Sequence, residues 1–284
     1  MKPAGLKNTA KKLLLSLVIL SGIGITLAHE FWLEPHYFQY SYGDEINIRF
    51  KVGEHFAGEN WKGNHDKVQQ LRLYYSDIED DLSDALSDDA GDSLQLTLFE
   101  EGTALIAFNS TNSFIQLEAA KFNDYLTEDG LTNASEYRKQ NGETDSTGKE
   151  YYQRSVKTLI QVGAAKTDLY KKTTNLPLDI CLLSHPYLIS QATTMKARLL
   201  FKGEPLQQAR VRVWHKLAGK VSEETFTSDS SGIVSFPVEP SGEWMVSSVY
   251  MERLTDDPKA DWQSYWGSFT WGYTGKIVYR KKAR

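Results

Sequence analysis

The chain has six histidines, and His29 stands directly after Ala28 in the stretch "TLAHEFWLEPHY". A cut between these two residues would put an α-amine and an imidazole on one residue. Two such nitrogens chelate a single metal ion in a closed ring, and one further imidazole completes a T-shaped copper site, the arrangement called a histidine brace. Nitrogen ligation of this kind suits Cu, Ni, Co or Zn, with Cu(II) highest on the Irving–Williams scale, so affinity alone does not name the metal. Both nitrogens must shed protons, from ordinary pKa values of about 7.7–8.0 and about 6.5. Binding should therefore weaken on acidification. The ordinary alternative for His29 is a solvated residue near a terminus.

His55 is the first choice for the second imidazole. It follows an alternating strand in "VGEHFAGENW" and shares its loop with Glu54 and Glu59, and histidines with carboxylates at the end of a β layer make a metal rim. His36 is the second choice, although seven residues and Pro35 separate it from His29, so that strand parity does not set the two side by side. His65 in "KGNHD" and His185 rank lower. His185, before Pro186, reads as structural, and His215, after Trp214, as a strand cap. The predicted metal set is His29, His55 and His36.

The elements around these residues begin with a leader. Lys2, Lys7, Lys11 and Lys12 precede the apolar run Leu13 to Leu20, and Thr26-Leu27-Ala28 offers small residues at the −3 and −1 positions, so residues 1–28 read as a signal peptide. Cleavage would leave 256 of 284 residues and, with four lysines removed, move the formal charge from −5 to −9. An acidic chain lacks the basic face that nucleic acid or an anionic membrane requires. No cysteine near the junction offers a lipid anchor, and no later stretch approaches the roughly 18 apolar residues of a membrane span. The expected location is the periplasm. The single Cys181 cannot form an internal disulfide, and in "LDICLL" it reads as a buried thiol.

Short strands follow. Phe31 to Leu33, Tyr37 to Tyr42, the alternation Ile46, Ile48, Phe50, Val52, and then Leu71 to Tyr75, Leu94 to Phe99, Thr103 to Phe108 and Phe114 to Leu117 all read as β. Strands at this spacing make a sandwich. The segment "YSDIEDDLSDALSDDAGD" holds eight acids and no base but lacks the ligand spacing of an EF-hand, so it reads as a solvated loop. From Leu117 the period changes: Ala120, Phe122, Tyr125 and Leu126 suit a helix ending at Gly130, with a further helical turn near residues 135–139. This helical insertion, about residues 118–150, is a candidate lid or interface, and Tyr152 to Val162 returns to strand.

A boundary in "PYLISQATT" divides the mature chain into residues 29–190 and 191–284. The second part carries strands at Met195 to Phe201 and Ala209 to Trp214, and hairpin turns at Ser228 to Gly232 and Pro240 to Gly242. In "DWQSYWGSFTW" a period of two puts Trp262 and Trp266 on one face and Tyr265, Phe269 and Trp271 on the other, the pattern of a strand buried between layers. The fold expected is mainly β, two β-sandwich domains with a short helical insertion in the first.

Two resemblances sharpen this reading. Gly203-Glu204-Pro205-Leu206 with Ala209-Arg210-Val211, Asp229 to Gly232 with Phe236, and Pro240-Ser241-Gly242-Glu243-Trp244 resemble the strand signatures of small immunoglobulin-like or transthyretin-like modules. Across the chain, the collinear blocks His29 to Pro35, Val52-Gly53-Glu54, Phe122 to Leu126, Glu150 to Arg154, Leu178-Asp179-Ile180 and Trp262 to Trp266 resemble the DUF4198 family. The resemblance implies an exported β-rich protein, a periplasmic component of cobalt or nickel uptake related to the NikM-type accessory proteins. Tyr250 stands where many members are expected to carry a histidine.

The function expected is a transition-metal-binding protein, not an enzyme, that hands Ni, Co or Cu to a membrane transporter component. The alternatives are a histidine-brace copper oxidoreductase acting on polysaccharide through an exposed aromatic surface, and a metal-free adaptor built of β modules. No nucleophile elbow, P-loop, dinucleotide glycine pattern or zinc-protease helix appears in the sequence.

Overall fold

Ile46, Ile48 and Phe50 alternate with Glu45, Asn47 and Arg49, so this strand has one dry face and one wet face. The same rule recurs through the computed structural model, which describes residues 30–61, 65–87 and 92–276. The expected signal peptide and His29 lie outside the described residues, as do residues 88–91 of the acidic segment. Within that segment Leu82 and Leu86 are buried, while Asp77, Glu79, Asp80 and Asp81 are exposed.

The strands are β1 (Glu30–Pro35), β2 (Gln39–Tyr40), β3 (Glu45–Glu54), β4 (Ala57–Asn60), β5 (Val68–Tyr75), β6 (Ile78–Asp81), β7 (Ser93–Thr97), β8 (Gly102–Ser110) and β9 (Ser113–Leu117). Helices α1 (Ala119–Glu128) and α2 (Thr132–Gln140) follow. The chain then returns to β10 (Gly148–Val162), β11 (Leu178–Leu182), β12 (Thr193–Phe201), β13 (Glu204–Pro205) and β14 (Arg210–Leu217). It ends with β15 (Lys220–Thr227), β16 (Ile233–Val238), β17 (Glu243–Arg253) and β18 (Trp262–Gly272).

A ten-stranded sheet, in the order β15-β14-β17-β18-β10-β8-β5-β6 with β2 and β9 beside β10, forms the middle layer. The sheet β1-β3-β4, with β7 on β3, covers one face of it together with the helices. The sheet β11-β12-β13, with β16 on β12, covers the other. β18 shows the division residue by residue: Trp262 and Trp266 join the cluster under the helices, and Tyr265, Phe269 and Trp271 join the cluster under the third sheet. The molecule is thus mainly β, with sandwich packing on both faces of a common sheet. The expected division at residues 190 and 191 falls between β11 and β12, which are hydrogen-bonded neighbours, and β10 lies parallel to β18 from Glu150↔Trp262 to Thr158↔Thr270.

The helices form where the apolar period becomes three and four: Phe122, Tyr125 and Leu126 make one buried face of α1. Gly130, at φ 69, ends the helix in the left-handed region, and the Leu131 N–H turns back to the Leu126 carbonyl at 2.8 Å. Phe122 lies flat against Gly148, where a Cβ would overlap its ring. Gly148→Ala should therefore cost about 1–3 kcal/mol, the usual penalty of an overpacked core, measured as a lower denaturant midpoint at unchanged m-value.

Candidate functional site

The hairpin between β3 and β4 pairs Glu54 with Ala57 and leaves His55 and Phe56 as a two-residue turn, at φ 52 and φ 53. Tight hairpins favour this left-handed pair of conformations, but for Asn and Gly; other residues bear a cost of roughly 1–2 kcal/mol each. Burial offsets it here. The Phe56 ring is buried edge-on to Trp32 at 5.5 Å, with Lys216 Nζ 5.3 Å from its centre, while His55 is exposed with its ring 5.8 Å from that of Trp214.

His55 stands at the rim of a cleft of about 310 Å³. Glu30 enters it from β1, Glu54 and His55 from the hairpin, Tyr125, Glu128 and Asp129 from the end of α1, and Trp266 from β18. Arg210, Arg212 and Trp214 on β14, with Glu223 and Thr225 on β15, complete the walls. Arg212 holds the carboxylates together: its guanidinium is 2.6 Å from Asp129, 3.3 Å from Glu223 and 3.7 Å from Glu30. Both arginines also donate to the end of α1, Arg210 to the Thr127 and Glu128 carbonyls at 3.1 and 2.5 Å and Arg212 to the Glu128 carbonyl at 2.7 Å. These are carbonyls that the helix cannot satisfy internally.

Burial pushes the Glu30 carboxyl up to about 7, opposed by its backbone hydrogen bond and by Arg212. Burial also raises Asp129, again against Arg212. Burial works against the charge of Arg212, but Asp129, Glu30 and Glu223 outweigh it and hold the guanidinium above its usual range. Near neutral pH Glu30 is therefore poised between its charged and neutral forms beside the Arg212 cation.

The predicted histidines are dispersed. His29 is bonded to Glu30, the first described residue of the cleft wall, and itself lies outside the described residues. Glu30 pairs with Gly53 and Pro35 with Ile48, so His36 follows the opposite end of β1, about 17 Å away by the rise of five strand residues. It is exposed, its N–H donates to the Asn47 carbonyl, and its ring lies 4.4 Å from Tyr37. The structure therefore does not bring His36 to His55. His65 is exposed in a short turn. His185 is buried, accepts the Tyr187 N–H at Nδ1 and meets Thr103 Oγ1 at Nε2, and burial takes it down to about 4, a neutral structural ring. His215 stacks on Trp244 at 4.0 Å.

Among the described residues no group of three His, Cys, Asp or Glu side chains is spaced to hold a metal ion. His55 is the one histidine among the described residues that line the cleft. Cys181 is buried in the third sheet, and Met245 is buried with Trp32, Phe56 and Trp214; neither sulfur lines the cleft. Nitrogen and oxygen donors suit borderline divalent ions better than Cu(I).

The carboxylate–arginine cluster escaped the sequence reading. Its one local signal was "RVRVW", where the period of two puts Arg210, Arg212 and Trp214 on one face. Charged residues aligned with a tryptophan mark a face that is not simply solvated.

The family model of a domain of unknown function, DUF4198, matches residues 26–252. No curated protein is similar to the chain. Among solved structures, a DUF3823 family protein from Bacteroides uniformis is similar at 7% identity and TM-score 0.23, over 86% of this chain and 99% of that one. Dimeric latent PorU from Porphyromonas gingivalis is similar at 8% identity and TM-score 0.18, over 88% of this chain and 21% of that one. Escherichia coli alpha-2-macroglobulin activated by porcine elastase is similar at 8% identity and TM-score 0.21, over 86% of this chain and 20% of that one. Nothing functional is carried over at these scores.

Proposed function

The chain belongs to the DUF4198 family, and from that premise we propose that it is an exported periplasmic protein that binds a divalent transition metal as cargo and passes it to a membrane transporter component, in the manner of the NikM-type nickel and cobalt accessory proteins. The observation that carries this reading is the placement of His55 on a strained turn at the rim of the carboxylate cleft whose wall begins at Glu30, the residue bonded to His29. The α-amine and imidazole of His29 and the imidazole of His55 supply three nitrogens, and Glu30 supplies an oxygen nearby. Nickel, cobalt and copper all accept that set.

Backbone strain held by surrounding packing is where function is to be sought. Arg212 neutralises part of the negative charge and leaves the cleft attractive to a cation without making it a bare acidic trap. Each nitrogen donor must shed its proton to bind the metal, so cargo affinity should fall on acidification. The aromatic residues of β18 are buried on both faces, so that strand is not the exposed aromatic surface that the oxidoreductase alternative requires.

Native mass spectrometry of protein taken from the periplasm gives the mature N-terminus and the bound metal together. A chain beginning at His29 with one metal ion per molecule is expected. A different N-terminus, or no uptake of nickel, cobalt, copper or zinc on titration, would sink the reading.

A further inference from the structure

We propose that the helical insertion is a movable wall of the cleft, and that the carboxyl group of Glu150, buried beneath it, controls whether it stays closed. This deepens the functional reading in giving the cleft a regulator, and it rests on that reading only for the consequence to bound cargo.

Glu150 lies on β10 under α1, 1% exposed. Its Oε1 accepts the Tyr125 hydroxyl at 3.2 Å and the Ser264 hydroxyl, and Ser264 Oγ in turn receives Trp266 Nε1 at 3.1 Å. Its Oε2 has no hydrogen-bond partner among the described residues. Tyr125 and Trp266, stacked at 6.0 Å, also line the cleft, so this carboxyl sits directly behind the cleft wall.

The charged groups around it give an anion no help. From α1, Asp129 disfavours a charged Glu150, and the Tyr125 hydroxyl favours it only by its hydrogen bond. From α2, Arg138 is turned to Asn123 Oδ1 at 3.1 Å and to the Ser146 carbonyl at 2.6 Å. From β17, Glu252 is engaged with Tyr265 and Lys202, and Arg253 with Glu143. β18 offers only the Ser264 hydroxyl, and β9 packs Leu117 into the same apolar cluster. An ionised Glu150 would be a buried charge with two hydroxyl donors and no cation, the situation that proteins avoid.

Burial accordingly raises the Glu150 carboxyl to about 8, against the Ser264 and Tyr125 hydrogen bonds. A carboxyl raised in the closed state stabilises closure fully below the ordinary glutamate value of about 4.5, and the contribution is lost progressively as the pH rises from there to about 8. The insertion seats Phe122, Tyr125, Leu126, Leu131 and Ala134 on Trp262, Trp266 and Met251, and is pinned by Asp129 to Arg212 and by Asn133 to the Met251 carbonyl at 2.7 Å. Lifting it would take Tyr125, Glu128 and Asp129 out of the cleft together.

Hydrogen exchange of the metal-free, full-length mature protein tests this, with rates corrected for the intrinsic pH dependence. From about pH 4.5, the ordinary value of a glutamate, up to about pH 8, opening of residues 119–140 should rise about tenfold per pH unit and then level off, as one proton released on opening requires, while residues 233–238 of the third sheet keep their protection. Glu150→Gln should abolish the rise. Ser264→Ala, which removes a donor to the carboxylate, should move the pH at which the rise levels off upward and serves if the first variant does not fold. No rise in the wild type, an equal rise in Glu150→Gln, no movement with Ser264→Ala, or a loss of protection throughout the molecule overturns the proposal. None of these readouts involves metal, so the outcome is separate from that of the cargo reading.

Discussion

Replacing Lys157 with methionine should cost about 3–5 kcal/mol of folding free energy, the usual effect of removing one partner from a buried ion pair. Lys157, on β10, is fully buried, with Nζ 2.5 Å from Asp179 Oδ1, 3.1 Å from the Lys172 carbonyl, 3.5 Å from Cys181 Sγ and 5.4 Å from the centre of the Phe269 ring. Three acceptors match the three hydrogens of an ammonium. Asp179, on β11, also accepts the N–H and hydroxyl of Thr174 at 2.6 and 3.2 Å, so the pair fastens the middle sheet to the third with its polar atoms occupied. Methionine fills the space of the lysine stem but leaves a buried carboxylate with no cation. The double variant Lys157→Met with Asp179→Leu should recover most of the loss, since apolar replacement of a whole buried pair is often neutral. Urea denaturation of the three proteins at neutral pH decides it. A single variant that loses less than about 1 kcal/mol, or a double variant no better than the single, would show that the pair does not act as a unit.

The second large effect divides stability from binding. His55→Asn should stabilise the fold by roughly 0.5–1 kcal/mol, because asparagine tolerates the left-handed backbone that histidine occupies under strain at φ 52. The same variant should lose metal affinity by more than the roughly 10- to 100-fold that a supporting hydrogen-bond partner contributes, because it removes a ligand. Thermal melting of the metal-free protein reads the first effect, and competition against a chromogenic chelator the second. A variant that melts earlier, or that keeps its affinity, removes His55 from the role proposed for it. The opposed signs matter: a residue kept for the fold alone would not improve the fold when replaced.

Residues that make local patterns were legible. The two faces of β18 came from a period of two, and α1 from Phe122, Tyr125 and Leu126 followed by Gly130. Cys181 was readable as a buried thiol from its apolar neighbours, and it is buried. The candidate site was legible only in part. His55 announced itself beside Glu54, yet nothing local showed that α1 would end over β14, some 80 residues away, and surround Arg212 with carboxylates. The seven-residue gap between His29 and His36 was uninformative for the same reason. Only the antiparallel register of β1 with β3, running from Glu30↔Gly53 to Pro35↔Ile48, shows that the strand carries His36 away from the hairpin of His55. Glu150 was visible as a family block, but its isolation depends on a helical pair folding back across its own strand.

The parallel seat of β18 against β10 bears on how the molecule comes together. Residues 262–272 lie between β17 and β10 in the middle sheet, so a chain emerging from its N-terminus has β10 without that neighbour until its last described strand is available. Such distant pairings are slow to form, since a long loop must close before any contact rewards it. The cleft waits on the same event, because Trp266 of that strand is one of its walls and Arg212 belongs to a strand nearly as late. β18 acts as a keystone: before it is set, the early strands have no finished sheet and the cleft is missing a wall. Ligand binding at the cleft should therefore report the seating of β18, and loss of that strand should abolish the site without touching any residue of the hairpin that bears His55.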